Sequence, residues 1–209
     1  MRRIVAGLFV LSCALHLWAQ AVVDPFWIVA TIWIPVLVLL VWYLVAVRNW
    51  DRVATLVTVA LVFSWLGDSL GSIGLDLKIA FFLVAQVCFV VAFWGPFRRW
   101  SAGRPWWHQL RWVPYLVAVA ALVVAVMPTA GVLAPAVVGY ALVIGLMAVF
   151  ASSLGRLATV GGVLFLVSDG LLGIQEFTPW RLPQQGLMIM ATYLVAQALL
   201  AYAVATRRP

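Results

Sequence analysis

Eight long apolar runs, separated by short polar breaks, constrain this chain more than any other feature of its sequence. A helix needs about 20 residues to cross a hydrocarbon core of roughly 30 Å, and the runs have about that length. Their approximate bounds are 4–23, 26–47, 53–74, 78–96, 112–127, 132–152, 157–175 and 185–205. The runs are continuous and lack the alternation of lipid-facing barrel strands, so helices are expected. The sequence predicts an all-α polytopic membrane protein, a single transmembrane domain over 1–209 with eight spans.

The composition supports the same class. Of the 209 residues, 67% are hydrophobic and 9% are charged, whereas soluble domains have about 25% charged residues. The formal net charge of +7 could indicate a nucleic-acid partner, but the basic residues lie between the apolar runs and form no hydrophilic face. We therefore expect membrane lipids, and no nucleic acid, as partners. Cys13 and Cys88 lie inside apolar runs, which argues against a disulfide framework.

The basic residues predict the orientation. With the N-terminus inside, eleven of the thirteen lie on the cytoplasmic side: Arg2, Arg3, Arg48, Arg52, Arg98, Arg99, Arg104, Arg111, Arg156, Arg207 and Arg208. The other side keeps Lys78 and Arg181. By the positive-inside rule both termini are cytoplasmic, and a bacterial inner membrane is expected. The first run resembles a signal peptide, but seven further spans favour an uncleaved helix. The Trp-rich segment 98–112 is expected to contact anionic headgroups.

Short matches in the same order indicate an internal duplication. Leu83-Val84-Ala85-Gln86 recurs as Leu194-Val195-Ala196-Gln197, and Gly67-Asp68-Ser69-Leu70 aligns with Ser168-Asp169-Gly170-Leu171. Pro35 has a counterpart at Pro135. Four spans per repeat preserve direction, so we expect parallel repeats over 1–97 and 112–206. This arrangement would bring Asp68 and Asp169 face to face.

Two carboxylates within the apolar runs are the strongest functional candidates, because charge in hydrocarbon is costly. At 1.5 Å per residue, Asp68 and Asp169 lie about 22 and 18 Å from the cytoplasmic ends of their helices, at a similar level. The same level is expected for four further polar side chains, His16, Gln86, Tyr140 and Tyr193. The sequence predicts a polar cavity there, with no Lys or Arg at that depth and with one or both aspartates protonated. Helix–helix hydrogen bonding is the alternative for His16, Gln86 and Tyr140.

The remaining acids and the missing motifs narrow the chemistry. Asp24, Asp51, Asp76 and Glu176 fall near span ends, where a solvated or interfacial role is expected. The chain has no His/Cys cluster with metal-ligand spacing, no Gly-rich phosphate loop and no Gly-x-Ser-x-Gly elbow. No metal or cofactor is therefore expected.

Two stretches of the sequence resemble a known family. The segments 60–68 (ALVFSWLGD) and 162–169 (GVLFLVSD) are similar to the signature stretches of the YhhN-like lysoplasmalogenases. Tyr140 with Met147, and the segment 192–197 (TYLVAQ), resemble further family positions. The chain departs from the pattern at Ile34, where Lys is expected before Pro35, and at Gln86 and Phe89, where His and Tyr are expected.

The resemblance implies a membrane hydrolase that cleaves the vinyl ether bond of a lysophospholipid to give a fatty aldehyde and a glycerophospho-base. Asp68 and Asp169 would be catalytic, one as the acid and one as the stabilising anion, in the manner of glycoside hydrolysis. Substrate contacts would come from Gln86, Tyr140, Tyr193, Gln197, Ser64, Ser168 and His16. Parallel repeats around paired acids are also transporter architecture, so a small transporter is the alternative, with a non-catalytic lipid-binding protein as a third possibility.

Overall fold

A computed structural model describes residues 1–207 of the chain. The described residues form nine α helices and three short 3₁₀ segments, without a strand, which confirms the all-α prediction. The helices are α1 (Arg2–Val22), α2 (Pro25–Thr31), α3 (Ile34–Ala46), α4 (Arg52–Leu70), α5 (Leu75–Ser101), α6 (Val113–Ala130), α7 (Ala134–Ala151), α8 (Arg156–Phe177) and α9 (Gln185–Thr206). The 3₁₀ segments are Trp106–Trp112, Gly131–Leu133 and Ser152–Leu154.

Capping side chains explain where α2 and α4 begin. Asp24 accepts hydrogen bonds from the backbone N–H groups of Phe26 and Trp27, and Asp51 accepts one of 3.0 Å from Ala54. Each cap satisfies N–H groups that have no partner inside the helix, and typically contributes about 1 kcal/mol. Both acids lie at span ends, as their positions in the sequence predict.

The second apolar run is interrupted by a turn. The sequence predicts one helix over 26–47, but the structure has α2 and α3 on either side of Ile32 and Trp33. Pro35 has no backbone N–H, and its ring would collide with the carbonyl of Thr31 in a continuous helix. The helix therefore ends at Thr31 and restarts just before the proline.

Helices α6 and α7 pack as antiparallel neighbours. A Cβ added at Gly145 of α7 would lie 2.7 Å from Cγ2 of Val119 on α6, and these two positions are equally far from the turn joining the helices.

Seven helical segments of the described residues are long and apolar enough to cross a membrane, and the longest, Trp106–Leu154, contains both α6 and α7 over 49 residues. The chain is a multi-pass integral membrane protein.

Both ends of the described chain lie at the same end of the bundle. Arg2 donates a 3.0 Å hydrogen bond from Nε to the carbonyl of Val45, and Arg207 forms an ion pair with Asp51. We call this the arginine-rich end, because the connections at 47–51, 102–112 and 152–155 and their flanking arginines lie there. The connections at 23–24, 71–74, 131–133 and 178–184 form the opposite end.

The turn between α4 and α5 positions the first aspartate. The sequence predicts spans at 53–74 and 78–96, but α4 ends at Leu70 and α5 begins at Leu75. Glycine is unfavourable in helices, so Gly71 and Gly74 end the helical conformation although Ile73 continues the apolar run. Asp68 consequently lies in the last turn of α4, close to the opposite end of the bundle.

Candidate active site at two buried aspartates

Asp68 and Asp169 line a single cavity, as predicted for two facing carboxylates. Their residues are 5% and 9% exposed, and the cavity has a volume of about 50 Å³, enough for a few water molecules. We call it the aspartate cavity. Its lining residues come from α4, α5, α8, α9 and the turn before α3: Ile32, Asp68, Lys78, Phe82, Ser168, Asp169, Leu172, Ile189, Met190 and Tyr193.

A buried chain of hydrogen bonds holds Asp68. The Tyr193 hydroxyl donates to Oδ2 of Asp68 at 3.0 Å. One turn further along α9, the Gln197 amide donates to the Tyr193 hydroxyl at 3.4 Å and to Oγ of Ser64 at 2.9 Å. Gln197 and Ser64 therefore stand behind the cavity and fix the tyrosine that contacts the aspartate.

Asp169 has a tyrosine of its own. The Tyr140 hydroxyl on α7 donates to Oδ2 of Asp169. The neighbouring Ser168 donates to the backbone carbonyl of Ile189 at 3.0 Å, which ties α8 to α9 beside the cavity. Each buried carboxylate thus has a hydroxyl donor, and a hydrogen bond to a charged group is typically stronger than one between neutral groups.

A close approach between α4 and α5 shapes the wall next to Asp68. A Cβ added at Gly67 would lie 2.8 Å from Cδ2 of Phe82, so only glycine admits this ring at its observed position. Phe82 also packs edge-on against Tyr193, with ring centroids 5.7 Å apart. The glycine before the aspartate therefore allows an apolar ring to close the cavity on one side.

A second, mainly apolar cavity adjoins the first and shares Lys78, Phe82, Asp169 and Leu172 with it. We call it the apolar chamber, and its volume is about 60 Å³. It lies between α5, α6, α7 and α8, and its lining residues are Leu75, Lys78, Ile79, Phe82, Leu122, Val126, Val137, Tyr140, Ala141, Asp169, Leu172, Gly173, Glu176 and Phe177. Asp169 and Tyr140 are thus accessible from a space suited to hydrocarbon.

Lys78 is the residue that the sequence prediction missed. No Lys or Arg was expected at the depth of the aspartates, and this expectation is wrong because Lys78 lines both cavities. The short turn between the helices places the last turn of α4, with Asp68, beside the first turn of α5, with Lys78. The ammonium group forms no ion pair with either aspartate in residues 1–207. The signal that could have revealed it is the pair Gly71 and Gly74, which moves the turn toward Asp68.

Four predicted substrate-binding residues line neither cavity: Ser64 and Gln197, which stand behind the aspartate cavity, and His16 and Gln86. His16 is buried between α1 and α2, where Nδ1 is 2.8 Å from Oγ1 of Thr31 and Nε2 is 3.3 Å from the Gln20 amide nitrogen. Gln86 is also buried, and its side chain lies beside the Tyr140 hydroxyl that contacts Asp169. For His16 the contacts are those of the helix–helix alternative.

These features define a class: a multi-pass helical membrane protein with two buried carboxylates in one cavity that adjoins an apolar chamber. The chain belongs to the YhhN family, whose family model matches residues 25–204. The match covers both aspartates, both tyrosines and every residue that lines the two cavities. No curated protein and no solved structure was found to match the chain.

Proposed function

We propose that this protein hydrolyses the vinyl ether bond of a lysoplasmalogen, releasing a fatty aldehyde and a glycerophospho-base. The observation that carries the proposal is the pair Asp68 and Asp169 in one buried cavity, each with a tyrosine hydroxyl. Membership of the YhhN family supports a lysoplasmalogenase-type membrane protein.

The first chemical step needs a protonated carboxyl group. One aspartate donates its proton to the β-carbon of the vinyl ether, which leaves an oxocarbenium ion at the carbon bound to oxygen. A carboxyl group stays protonated at neutral pH most easily where water is scarce, and both aspartates are nearly inaccessible to solvent. The second aspartate, ionised, stabilises the cation through space, which is the division of labour found in glycoside hydrolysis.

The second step consumes one water molecule. Water attacks the cationic carbon and gives a proton to the second aspartate, forming a hemiacetal. The hemiacetal collapses when its hydroxyl proton returns to the first aspartate and the second aspartate protonates the departing glycerol oxygen. Both carboxyl groups are restored to their starting states, as general acid–base catalysis requires. The aspartate cavity has room for the water that this sequence uses.

The surroundings suggest roles for the other candidates. In this proposal the apolar chamber takes the part of the hydrocarbon chain next to the vinyl ether, with Tyr140 beside Asp169. Ser168 and Tyr193 line the wall on the side of α8 and α9, while Ser64 and Gln197 hold Tyr193 in place. No cofactor is required by these steps.

We also propose an eight-span topology with both termini cytoplasmic, in a bacterial inner membrane. The antiparallel packing of α6 against α7 and the position of Arg2 and Arg207 at one end of the bundle support an even number of crossings. A duplication over 1–97 and 112–206 is supported by Pro35 and Pro135, each the second residue of its helix, and by the shared cavity of Asp68 and Asp169. The exposed Trp106 and Trp107 suit an interface with anionic headgroups.

Aldehyde release tests the proposal. Purified protein in detergent or nanodiscs is mixed with a vinyl-ether lysophospholipid, and free aldehyde is measured against the saturated ether analogue, which lacks the reacting double bond. We expect turnover of the vinyl ether alone. Protein that releases no aldehyde, but takes up a solute with protons in proteoliposomes, would support the transporter alternative.

A further inference from the structure

Two glutamines occupy matching places in the two halves of the chain. Gln86 ends the segment 83–86 (LVAQ) on α5, and Gln197 ends the segment 194–197, which has the same four residues, on α9. Both side chains are fully buried, and the two residues lie at nearly the same distance from the starts of their helices. A polar amide inside hydrocarbon is costly unless it is hydrogen-bonded, so each glutamine needs a partner.

Gln197 acts as a hydrogen-bond donor. Its amide nitrogen donates to the Tyr193 hydroxyl at 3.4 Å and to Oγ of Ser64 at 2.9 Å, and its amide oxygen has no hydrogen-bond partner within residues 1–207. Tyr193 in turn donates to Oδ2 of Asp68 at 3.0 Å. The hydrogen bonds therefore run in one direction, from the glutamine through the tyrosine to the aspartate.

Gln86 lies beside the hydroxyl of the second tyrosine. Tyr140 on α7 is within hydrogen-bonding reach of the Gln86 side chain, and its hydroxyl donates to Oδ2 of Asp169. Neither polar atom of Gln86 has any other partner within residues 1–207. A hydroxyl has one proton, so a tyrosine that donates to a carboxylate can only accept from an amide. The donor to Tyr140 is therefore the amide nitrogen of Gln86.

We propose that Gln86 is a positioning residue that acts through Tyr140: its amide donates to the Tyr140 hydroxyl and directs the hydroxyl proton to Asp169. Gln86 is then the counterpart of Gln197, which does the same for Tyr193 and Asp68. The inference rests on the proposed function and deepens it, because it gives Gln86 a role behind a reacting carboxyl group in place of the substrate contact expected from the sequence.

The amide strengthens the contact between Tyr140 and Asp169. Hydrogen bonds in a chain polarise one another, so a hydroxyl that accepts from an amide is a better donor. The same bond holds the tyrosine oxygen, so that its proton does not turn away from the carboxyl group. While Oδ2 of Asp169 accepts from Tyr140, a proton on this carboxyl group is favoured on Oδ1, because the carbonyl oxygen is the better acceptor. Oδ1 is then the oxygen that exchanges a proton with the substrate.

Two other roles for Gln86 make different predictions. A substrate contact would affect turnover whether or not the Tyr140 hydroxyl is present. A bond that merely ties α5 to α7 would change the stability of the fold and leave kcat unchanged. The positioning role requires both an interaction between Gln86 and Tyr140 in the folded protein and an effect on kcat that disappears with the hydroxyl.

The first test measures the interaction without turnover. Gln86→Met removes the amide with little change in size, Tyr140→Phe removes the hydroxyl, and Tm is measured in nanodiscs for the single and double variants. Residues that share a hydrogen bond are not additive, so the effect of Gln86→Met on Tm should differ between the wild type and Tyr140→Phe. In Tyr202→Phe, the matched background at an exposed tyrosine, the effect should equal that in the wild type. Gln86→Leu repeats the measurement with a second apolar side chain.

The second test uses hydrolysis of a vinyl-ether lysophospholipid. Gln86→Met should lower kcat by roughly two- to tenfold, as expected for one hydrogen bond between neutral groups, with KM nearly unchanged. In Tyr140→Phe the same substitution should lower kcat no further, because the amide acts through that hydroxyl. Gln109→Met makes the same change at an exposed glutamine and should keep the kcat of the wild type.

Additive effects of Gln86→Met and Tyr140→Phe on Tm, repeated with Gln86→Leu, would overturn the inference whatever the activity. A loss of kcat that persists in full in Tyr140→Phe, or a rise in KM alone, would make Gln86 a substrate contact. Coupled effects on Tm with an unchanged kcat would leave only a helix–helix bond and exclude the positioning role. Coupled effects on Tm in a protein that releases no aldehyde would retain the hydrogen bonds from Gln86 to Asp169 and remove the proposed function.

Discussion

Tyr193 on α9 donates a 3.0 Å hydrogen bond to Asp68 on α4, so the last helix of the chain completes the environment of the first aspartate. The two residues are 125 positions apart in the sequence. Tyr140 makes the corresponding contact with Asp169, and both tyrosines lie in the second half of the chain. The two aspartates therefore have similar donors from helices that are not counterparts in the proposed repeat.

Neutralising either aspartate should abolish most of the turnover. Asp68→Asn and Asp169→Asn preserve volume but cannot exchange a proton, so each should lower kcat by at least about 10²-fold. The double variant should be little worse than either single one, because groups that act as a unit are not additive. Folding should survive, since removing a buried charge relieves its desolvation cost. Aldehyde release measures the effect, with the exposed Asp76→Asn as control.

Full activity in Asp68→Asn or Asp169→Asn would remove that aspartate from the mechanism. A double variant that loses the product of the two single effects would mean that the carboxylates act independently.

Removing either tyrosine hydroxyl should weaken catalysis less than removing a carboxylate. Tyr193→Phe and Tyr140→Phe each delete one donor to an aspartate, and a hydrogen bond to a charged group contributes about 1.5–3 kcal/mol. We expect kcat to fall by about 10- to 10²-fold in each variant. Tyr202→Phe is the matched control, because Tyr202 is exposed and stacks on Trp42 away from the cavities. An unchanged kcat in Tyr193→Phe would show that the contact with Asp68 is structural only.

Glu176→Gln should change the choice of headgroup. Glu176 is exposed and lines the apolar chamber in the last turn of α8, so its carboxylate would repel a headgroup of net negative charge bound at this end of the bundle. An exposed charge interaction contributes about 0.2–1 kcal/mol, so the variant should narrow the difference in kcat/KM between ethanolamine and glycerol headgroups by up to about fivefold. Competition between the two vinyl-ether lipids in one assay measures the ratio. Equal ratios in wild type and variant would place the headgroup elsewhere.

The ion pair at the arginine-rich end should make stability depend on pH. Partial burial opposes ionisation of Asp51, but the Ala54 N–H and the Arg207 guanidinium outweigh it and hold the pKa of this carboxyl below its ordinary value of 3.8. A lowered folded-state pKa stabilises the fold fully above about pH 4, and this contribution is lost as the pH falls through the lowered pKa. Asp51 is about half exposed, so the contribution is small, well under ~1 kcal/mol.

Asp51→Asn isolates this charge, because asparagine still caps α4. The difference in Tm between wild type and variant should be present at pH 6, shrink toward pH 3, and narrow in high salt at pH 6. A difference that is constant from pH 6 to pH 3 would exclude the ion pair as its source.

Reporter fusions test the eight-span topology. A reporter fused after Pro209 should be cytoplasmic, and one inserted near Gly131, between α6 and α7, should be on the far side. Alkaline phosphatase and fluorescent-protein fusions give opposite signals for the two compartments. If both positions report the same side, the number of spans between them is even and the proposed topology fails.

Most of the fold follows from hydrophobicity alone. A segment in lipid must form all its backbone hydrogen bonds internally, which requires a helix, and the thickness of the bilayer sets the length of that helix. The bounds of α8 and α9 agree closely with the predicted spans at 157–175 and 185–205. The break at Ile32 and Trp33 was missed because both residues are apolar, and the proline that causes it lies further along the chain. The end of α4 was placed too late because Ile73 continues the apolar run past two glycines.

The candidate site was predictable where a residue is unusual in hydrocarbon. Asp68 and Asp169 were found in this way, and the structure puts both in one cavity. Counting residues along each helix gives the depth of a side chain in the membrane but not the face of the helix on which it lies. Depth alone therefore does not separate His16 from the two aspartates. The sequence assigns Lys78 to the surface of the membrane, because a charge near a span end has no distinguishing signal. Its proximity to Asp68 depends on the length of one turn.

The contact between Tyr193 and Asp68 has a consequence for biosynthesis. A membrane protein inserts its helices in order from the ribosome, so Asp68 enters the bilayer long before α9 is made. Until Tyr193, Gln197 and the α9 wall of the cavity arrive, the aspartate lacks its donor and the cavity lacks one side. A chain that stops before α9 would therefore carry both acids without an assembled site. Under the proposed function, hydrolytic competence would come with the last helix, and unfinished chains would be unable to attack the lipids around them.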